Sequence, residues 1–391
     1  MIKILHYTPT YAPAWKFGGP ILSVSQLCKG LVSLGCEIEV FTSNAGLEDH
    51  PDIIPNSPKI NNGVTVTYFS SFAGNGGIYS PGMEEAVKKR AKEFDLIHIT
   101  GIWQPTSSAA CQAAKTFNIP YILSLRGSLS PYSWSQKTLK KALYYLWREH
   151  WNVNNATAIH YTTQQEFEGC RWLNLPGKPI IIPNGLDTNF WQPNPSGAKQ
   201  WRQKKGFKED EFLLLNIGRL HHVKGFDLLP PVLNQIRDLE WKMIFVGGDD
   251  DGTKDKLIRQ FKSLNLLDRV RFLPKCEPEE LCVIYSASNL FVLPSRHESF
   301  GNVVIEALAC GCPVMTSDKV GIHREIQGAG MGWVLKRNTI DWAGQLRELI
   351  NDSSLLTRVM MHSNEWVKLN FSVNNTARDM LLCYQNLITS R

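Results

Sequence analysis

The sequence predicts an α/β protein of two domains, each built on a mostly parallel sheet. Short apolar segments with strand character alternate with amphipathic segments of helix length in both halves of the chain. This alternation is typical of strand–helix–strand units. The length of 391 residues suits two domains of ordinary size. Between the halves, the proline- and glycine-rich stretch 182–197 indicates a connector, and we place the boundary near residue 190.

The first half carries predicted strands and helices in alternation. Apolar runs bounded by polar or turn residues predict strands at 2–7, 37–42, 64–69, 96–100, 121–125 and 158–161. Helical periodicity predicts helices at 20–34, 83–92, 106–116 and 137–151. The first of these helices is ended by Gly35, a residue that favours helix C-termini.

The second half repeats the pattern. Strands are predicted at 212–217, 242–246, 270–273, 290–293 and 314–316, and helices at 226–237, 253–264, 278–287 and 302–310. The last fifty residues read as helices that begin near residue 340 and end near residue 388. Ligands of such open sheets bind at the carboxyl ends of the strands.

Composition narrows the class of protein. Hydrophobic residues make up 43% and charged residues 20% of the chain, as in an ordinary globular protein. Apolar runs stay far short of a membrane span, and the start shows no signal peptide. The odd number of cysteines, nine, argues against a disulfide framework and favours a reducing cytoplasm. The net charge of +6 is too small to indicate nucleic acid, but permits attraction to anionic substrates or lipids.

Two glutamates give the strongest functional signal. Glu298 lies in a loop after the predicted strand 290–293, and Glu306 lies in the next predicted helix, with seven residues between them. The first-turn amides of that helix fall between the acids, and a helix start attracts phosphate. Carboxylates on either side can accept hydrogen bonds from sugar or ribose hydroxyls, which is what a nucleotide-sugar needs. The alternative is a solvated loop acid and a helix-surface acid without function.

The surrounding segment 294–314, PSRHESFGNVVIEALACGCPV, resembles the signature of glycosyltransferase family 4. The likeness rests on its Ser-Phe-Gly, Glu-Ala and Gly-x-Pro-Val elements as well as on the two acids. It implies retaining transferases of the GT-B fold, with two Rossmann-like domains facing a central cleft. It also implies an acceptor domain at 1–190, a nucleotide-sugar donor domain at 191–373, and a last helix, 374–391, that crosses back to the first domain.

The same resemblance implies roles for individual residues. Glu298 is expected to hold hydroxyls of the transferred sugar, and Glu306 the ribose hydroxyls. The segment between them is expected to bind the donor through Phe300, Gly301, Asn302 and Val303.

A second motif, Gly218-Arg219 followed by Lys224-Gly225, comes between a predicted strand and a helix. Gly218 allows a sharp turn at the strand end, and the two cations reach the mouth of the expected cleft. In family 4 the matching residues bind the donor diphosphate, so we expect Arg219 and Lys224 to act with Glu298 in catalysis. A pair of surface cations is the alternative.

A third motif, Gly18-Gly19, links the first strand to the first helix. Two glycines before a helix make a backbone nest that favours anions. By the resemblance, this loop lies near the donor phosphates and the acceptor. Alone the motif is a weak signal, and a plain flexible loop is the alternative.

The run 247–252, Gly-Gly-Asp-Asp-Asp-Gly, looks like a carboxylate metal site. It lies between a predicted strand and a helix, where family 4 has a glycine-rich turn. Arg219 and Lys224 already supply positive charge to the phosphates. We therefore expect a solvated turn whose last aspartate helps begin the helix, and neither a catalytic metal nor a cofactor.

Arg126 and His98 are candidates on the acceptor side. Many family members carry a histidine where this chain has Arg126, and arginine cannot be a general base at neutral pH. Arg126 could bind an anionic acceptor or pack in an ion pair. His98 lies in the predicted strand 96–100 and could face the cleft or be a buried core histidine.

The predicted helix 137–151 has two faces. Lys137, Lys141, Tyr144 and Arg148 share one, and three leucines share the other. We expect the leucine face to pack on the first domain. The basic face could lie on an anionic membrane or simply be solvated.

Together these observations predict a retaining, metal-independent hexosyltransferase that uses a UDP-, GDP- or ADP-sugar. The resemblance favours a sugar or lipid-linked sugar acceptor in bacterial surface polysaccharide or glycolipid assembly, with a cytoplasmic or peripheral-membrane location. A nucleotide-sugar epimerase of the same fold and a non-catalytic sugar-nucleotide binding subunit remain the alternatives.

Overall fold

The computed structural model describes residues 1–74 and 77–390. It divides the chain into two compact units. One comprises Met1–Gly185 and the segment from Val373 onward, and the other comprises Leu186–Ser372. We call them the first and second domains. The acceptor and donor roles expected of them remain predictions.

Strands and helices alternate through the N-terminal part of the first domain. The strands are β1 (Lys3–Tyr7), β2 (Glu37–Ser43), β3 (Pro58–Asn61), β4 (Val64–Phe69), β5 (Phe72–Gly74), β6 (Gly77–Tyr79), β7 (Leu96–Thr100), β8 (Tyr121–Ser124), β9 (Ala158–Tyr161) and β10 (Lys178–Ile181). The helices are α1 (Gly19–Ser33), α2 (Pro81–Arg90), α3 (Pro105–Thr116), α4 (Pro131–Ser135), α5 (Thr138–Tyr144), α6 (His150–Asn154) and α7 (Gln164–Cys170).

The main sheet of the first domain has eight strands in the order β10-β9-β8-β7-β1-β2-β4-β3. All neighbours run parallel except β3, which pairs antiparallel with β4 at the edge. Alternate residues of β1 enter apolar clusters on opposite faces, Ile4 on one side and Leu5 on the other. The sheet is therefore buried on both faces, as expected of parallel strands covered by helices.

The second domain continues the alternation. Its strands are β11 (Leu213–Ile217), β12 (Lys242–Val246), β13 (Val270–Leu273), β14 (Leu290–Leu293), β15 (Val314–Ser317) and β16 (Gly332–Leu335). Its helices are α8 (Pro195–Lys205), α9 (Leu229–Gln235), α10 (Thr253–Ser263), α11 (Pro278–Ala287), α12 (Asn302–Ala309), α13 (His323–Ala329), α14 (Thr339–Asn351) and α15 (Ser354–Phe371).

The sheet of the second domain is parallel throughout, with six strands in the order β13-β12-β11-β14-β15-β16. Counted from its first strand, this is the order 3-2-1-4-5-6 of a doubly wound nucleotide-binding fold. The direction of winding reverses between β11 and β14. The predicted α/β class with two parallel-sheet domains is confirmed.

The last helix, α16 (Val373–Thr389), belongs to the first domain and packs against α1. The two helices approach closely at Gly30, where an added Cβ would lie 2.7 Å from Cβ of Ala377. The Tyr384 hydroxyl of α16 also hydrogen-bonds the His98 ring, at 2.6 Å. The predicted return of the final helix to the first domain is confirmed.

The predicted orientation of helix 137–151 is wrong. The segment forms α5, a π-helical turn at Tyr145–Glu149, and α6. Its leucines are exposed, with Leu139 at 77%, Leu143 at 63% and Leu146 at 72%. Lys141 instead lies over the Trp103 ring at 5.7 Å, and Arg148 Nε donates to Ser108 Oγ at 2.7 Å. The polar partners on and near α3 draw the basic side chains inward and leave the leucines outside.

Within 1–74 and 77–390, no helix combines the length and the apolar character needed to cross a bilayer.

Candidate functional site

The loops that follow β11 and β14 meet at the winding reversal of the second sheet. Ligands of doubly wound sheets bind outside the carboxyl ends of the strands at this point. The loop after β11 carries Arg219 and Lys224, and the loop after β14 carries Glu298. The amide of Arg296 donates to the carbonyl of Val223 at 2.8 Å and joins the two loops. Topology therefore brings the two motifs found in the sequence to one place.

Glycine is required at two points of this arrangement. Gly225 has φ of 68° and closes the 3-10 turn His222–Lys224, and a Cβ there would overlap the carbonyl oxygen of Pro294. Gly218 has φ of 148°, and a Cβ there would lie 3.7 Å from Nζ of Lys224. These backbone conformations are strained for other residues. They direct Lys224 back over the end of β11.

Lys224 pairs with Glu298. The distance from Lys224 Nζ to Glu298 Oε1 is 2.6 Å, and the two side chains are only 15% and 18% exposed. Ser295 Oγ donates to the same carboxylate oxygen at 3.0 Å. The amide of Glu298 donates to the carbonyl of Lys319 at 3.0 Å. Glu298 is thus fixed through both its backbone and its side chain.

Glu306 lies on α12, which begins after Gly301 in a left-handed conformation with φ of 108°. Its side chain is buried, and the Tyr285 hydroxyl donates to its Oε2 at 3.1 Å. Burial raises the pKa of Glu306 to about 7, against the opposing effects of the Tyr285 hydrogen bond and the Lys224 charge. Glu306 is therefore a carboxyl group that titrates near neutral pH. The charge of Lys224 acts on both glutamates.

Arg219 makes a different contact. It is 58% exposed, and its Nη1 donates to Asp250 Oδ2 at 2.7 Å. Asp250 belongs to the turn between β12 and α10. Arg219 is therefore held at an exposed position by this turn, whereas Lys224 pairs with Glu298.

The same turn contains the aspartates that resemble a metal site in the sequence. Asp251 accepts hydrogen bonds from the His222 amide at 3.0 Å and from the Thr253 amide at 3.2 Å, so it organises the start of α10. Among the described residues, His221, His222 and Asp251 form a group whose ligand atoms all lie within 4.8 Å of one another. This group could hold a metal ion. The expectation of metal-independent catalysis stays a prediction.

Arg337 is a site residue that sequence reasoning missed. Its Nε donates to the carbonyl of Pro294 at 2.8 Å, and its Nη2 to the carbonyl of Gly225 at 3.2 Å. One guanidinium thus joins the loops after β11 and β14 from a third segment, after β16. Its partners lie 43 and 112 residues away in sequence, so no local pattern could have revealed it.

The remaining predicted donor residues surround the start of α12. Phe300 is buried and packs on Phe371, with 5.9 Å between ring centroids. Its side chain therefore anchors the loop to the end of α15. Gly301 precedes α12, and Asn302 and Val303 are its first residues, where the helix dipole is positive.

In the first domain, Gly18 and Gly19 follow the first strand as expected. Gly18 has φ of 88° and precedes α1, which begins at Gly19. Apart from its chain neighbours, no described residue has a heavy atom within 4 Å of a Cβ added at Gly18, so backbone conformation rather than close approach favours glycine there.

His98 is fully buried, which is the core alternative left open by the sequence. Its Nδ1 lies 2.6 Å from the Tyr384 hydroxyl, and its Nε2 lies 2.6 Å from Ser124 Oγ. Ser124 Oγ also lies 2.6 Å from Nδ1 of His160. Burial lowers the pKa of His98 well below its usual value, so its ring is neutral. The structure gives it a role in joining α16 to the sheet.

Arg126 follows β8 in a left-handed conformation, with φ of 52°. Its Nη1 hydrogen-bonds the side-chain oxygen of Asn184. Burial lowers its pKa to about 10, opposed by the charge of Glu166, so Arg126 remains a cation at neutral pH. An anion-binding role therefore stays a prediction.

Comparison with family models covers most of the chain. Residues 18–185 match the model described as a glycosyl transferase 4-like domain, and residues 197–365 match that of the glycosyl transferases group 1. The D-inositol 3-phosphate glycosyltransferase of Rhodococcus erythropolis is 31% identical over 54% of this chain and 49% of its own length. That of Stackebrandtia nassauensis is 25% identical over 99% and 91%. In the more similar alignments, the chain spans about half the length of these curated relatives.

Solved structures show the same fold over the whole chain. Sucrose-phosphate synthase from Thermosynechococcus elongatus superposes with a TM-score of 0.81 at 23% identity, covering 100% of both chains. Anabaena HepE in complex with UDP and glucose gives 0.76 at 22% identity, over 98% and 100%. WaaG, described as a glycosyltransferase involved in lipopolysaccharide biosynthesis, gives 0.69 at 17% identity, over 97% and 99%.

Proposed function

Because the chain belongs to the group 1 glycosyltransferases and has the GT-B fold, we propose that it transfers a sugar from a nucleotide-sugar to an acceptor hydroxyl with retention of configuration. The observation that carries this proposal is the grouping of Lys224, Glu298 and Glu306 at the winding reversal of the second sheet. One cation between two carboxylates, beside a helix start, suits a diphosphate flanked by a sugar and a ribose.

The barrier of the reaction lies in breaking the bond between the anomeric carbon and the phosphate. Negative charge grows on the leaving diphosphate, so preorganised cations and helix dipoles lower the barrier. In this proposal Lys224 and Arg219 supply the cations, and the start of α12 supplies the positive end of its dipole. Arg219 reaches the diphosphate by leaving Asp250. Removing one such group is expected to raise the barrier by about 3 kcal/mol.

The glutamates orient the two ends of the donor. Oε1 of Glu298 is held by Lys224 and Ser295, and its Oε2 can accept hydrogen bonds from hydroxyls of the transferred sugar. Glu306 accepts from the ribose hydroxyls in its ionised form. Phe300, Gly301, Asn302 and Val303 place the start of α12 against the diphosphate. Gly18 and Gly19 contribute backbone on the first domain.

Proton transfer follows from the same chemistry. Arg126 is a cation and His98 is buried and hydrogen-bonded on both ring nitrogens, so neither suits a general base. We assign the acceptor's proton to the leaving phosphate, which gains charge as the bond to the sugar breaks. Arg126 is then available to bind an anionic acceptor.

The donor and acceptor are proposed from chemistry and from relatives. HepE structures contain UDP, glucose and UDP-glucose, which makes a UDP-hexose the first donor to test, before GDP- and ADP-sugars. The relatives' name, D-inositol 3-phosphate glycosyltransferase, and the lipopolysaccharide role stated for WaaG support a phosphorylated or lipid-linked sugar as acceptor. Such an acceptor would place the enzyme in the cytoplasm at the inner face of the membrane.

A donor panel tests the proposal. The protein is heated with UDP-, GDP- and ADP-sugars, and the one that raises the unfolding temperature is taken forward, because a ligand that binds the native state stabilises it by mass action. Release of free sugar or transfer to an acceptor identifies a transferase. Interconversion of the donor sugar alone would identify an epimerase, and binding without turnover would identify a binding subunit.

Two variants test the catalytic assignment. Arg219→Ala and Lys224→Ala are each expected to lower turnover about a hundredfold while changing stability much less. Lys262→Ala, an exposed lysine on α10, is the matched control. Near-normal turnover in both site variants would refute the assignment. Full activity in the presence of EDTA is expected, and loss of activity restored by a divalent metal would overturn metal independence.

A further inference from the structure

An exposed apolar stripe runs along α5, the π-helical turn and α6. Leu139, Leu143, Leu146 and Trp147 are 77%, 63%, 72% and 74% exposed, and Trp151 is 41% exposed. Their spacing places them on one side of the helical segment. We call these five residues the leucine–tryptophan surface. With a rise of about 1.5 Å per residue it extends for roughly 18 Å.

The opposite side of the segment is fixed by polar contacts. Arg148 Nε and Asn152 Nδ2 both donate to Ser108 Oγ at 2.7 Å. Glu149, fully buried, accepts from the Trp103 amide at 3.0 Å. Turning the leucines inward would break these bonds and leave a buried carboxyl group without its donors, which is destabilising. The exposure of the leucine–tryptophan surface is therefore part of the fold.

This exposure is unfavourable in water. Burying a leucine side chain is favourable relative to leaving it exposed, and here several large apolar side chains share one patch. Contiguous patches of this kind on a folded protein mark an interaction site.

The charges around the patch indicate the partner. Between residues 131 and 157, Glu149 is the only acidic residue, and it is buried. Lys137 and Lys140 are exposed at the N-terminal end of the stripe. Leucine and tryptophan with flanking lysines and no exposed carboxylate match the chemistry of helices that lie in the interface of anionic membranes. A second copy of the chain fits this surface less well. Two copies that met through it would bring their lysines together, and the segment has no exposed carboxylate to pair with them.

We infer that the leucine–tryptophan surface docks the protein on an anionic lipid bilayer. The helical segment lies in the plane of the membrane, its leucines and tryptophans enter the boundary between headgroups and acyl chains, and Lys137 and Lys140 contact anionic headgroups. The apolar face binds the membrane, and the basic face named by the sequence pattern is largely occupied by contacts within the first domain. This inference adds a docking mode to the lipid-linked acceptor of the proposed function but rests on separate residues.

Vesicle flotation tests the inference. The full chain is mixed with vesicles of phosphatidylcholine alone or with about a third phosphatidylglycerol. The wild type is expected to partition at least about tenfold more strongly into the anionic vesicles, and less so at high salt. Leu143→Gln/Leu146→Gln is expected to lower partitioning at least about tenfold. Ile340→Gln/Leu382→Gln, at residues 76% and 52% exposed elsewhere, is the matched control and should float like the wild type.

Several results would overturn the inference. These are no flotation with either vesicle, equal flotation of the leucine variant and the wild type, or a dimer in solution that the leucine variant dissociates. Donor hydrolysis in the absence of an acceptor tests the proposed function separately from membrane docking. The Leu143→Gln/Leu146→Gln variant should hydrolyse the donor like the wild type even though it no longer floats. Glu306→Gln should lose nucleotide affinity and still float.

Discussion

In the second domain, Lys224 Nζ lies 2.6 Å from Glu298 Oε1, in a setting where both side chains are largely buried. The pair holds the Lys224 cation at the winding reversal of the sheet. In the proposed function, a donor diphosphate competes with Glu298 for Lys224. The ion pair therefore couples nucleotide binding to the position of the residue expected to hold the sugar.

This competition predicts an unusual effect for Glu298→Gln. The variant should bind a free nucleoside diphosphate about fivefold more tightly, because loss of one negative charge near the phosphates is worth about 1 kcal/mol in a partly solvated site. Turnover should fall about a hundredfold at the same time. Calorimetric titration and initial rates measure the two effects, with Glu240→Gln, an exposed acid, as control. Unchanged or weaker nucleotide affinity would contradict the competition.

Glu306 predicts a pH-dependent affinity for the nucleotide. Its pKa of about 7 means that the carboxylate, which we propose accepts hydrogen bonds from the ribose hydroxyls, becomes the main form only above neutral pH. Affinity should rise about tenfold from pH 6 to pH 8 through this group. Glu306→Gln should remove that part of the rise, which also corrects for titration of the nucleotide itself. Tyr285→Phe should move the rise to higher pH, since it removes a hydrogen bond that stabilises the carboxylate. A rise unaffected by Glu306→Gln would exclude this role.

His6 predicts a loss of stability in acid. It is fully buried, its ring nitrogens have no hydrogen-bond partner among the described residues, and burial lowers its pKa to about 3. The unfolded chain binds a proton at this residue below about pH 6.5 and the folded chain does not, so stability falls as pH falls. When the pH falls from 7 to 5, the free energy of unfolding of His6→Leu should decrease by about 2 kcal/mol less than that of the wild type. Urea unfolding at the two pH values measures this, and parallel losses in both proteins would contradict it.

Arg337 predicts a positioning effect on catalysis. Its guanidinium bridges the carbonyls of Pro294 and Gly225, and lysine cannot make both bonds in that planar geometry. Arg337→Lys should lower kcat about tenfold with a smaller change in the donor KM, because the loops after β11 and β14 lose their alignment. Arg347→Lys, which breaks an exposed contact to Asp238, should leave kcat unchanged. Equal effects of the two variants on kcat would show that Arg337 has no special role.

The fold class and the two motifs could be predicted from the sequence because both depend on local patterns. Strand and helix periods alternate along the chain, and each motif follows a buried strand directly. Elements without such patterns were missed. Strand β3 is exposed along its length, and α8 begins inside the proline-rich connector. There Asn194 caps the helix by accepting from the Gly197 amide at 2.9 Å, so Pro195 starts a helix.

Long-range contacts explain the other differences. The segment 137–151 has one apolar and one basic face, and helical periodicity does not determine which of them packs on the domain. Contacts with Ser108 and Trp103, which lie elsewhere in the sequence, determine it. The partners of Glu306 and Glu298 also lie outside the local sequence pattern. Tyr285 lies on the preceding helix α11, and Lys224 is 74 residues from Glu298. The acids could be found from their spacing together with the surrounding motif, whereas their partners and the raised pKa of Glu306 required the fold.

The return of α16 makes the first domain discontinuous in sequence. A fragment ending at Gly185 would lack the helix that covers α1 and would expose the groove around Gly30. The two residues to be joined lie side by side, since a Cβ on Gly185 would be 2.7 Å from Cα of Val373. A recombinant first domain should therefore be made by joining 1–185 to 373–390 through a linker of about three residues. Simple truncation after Gly185 is expected to give an insoluble product.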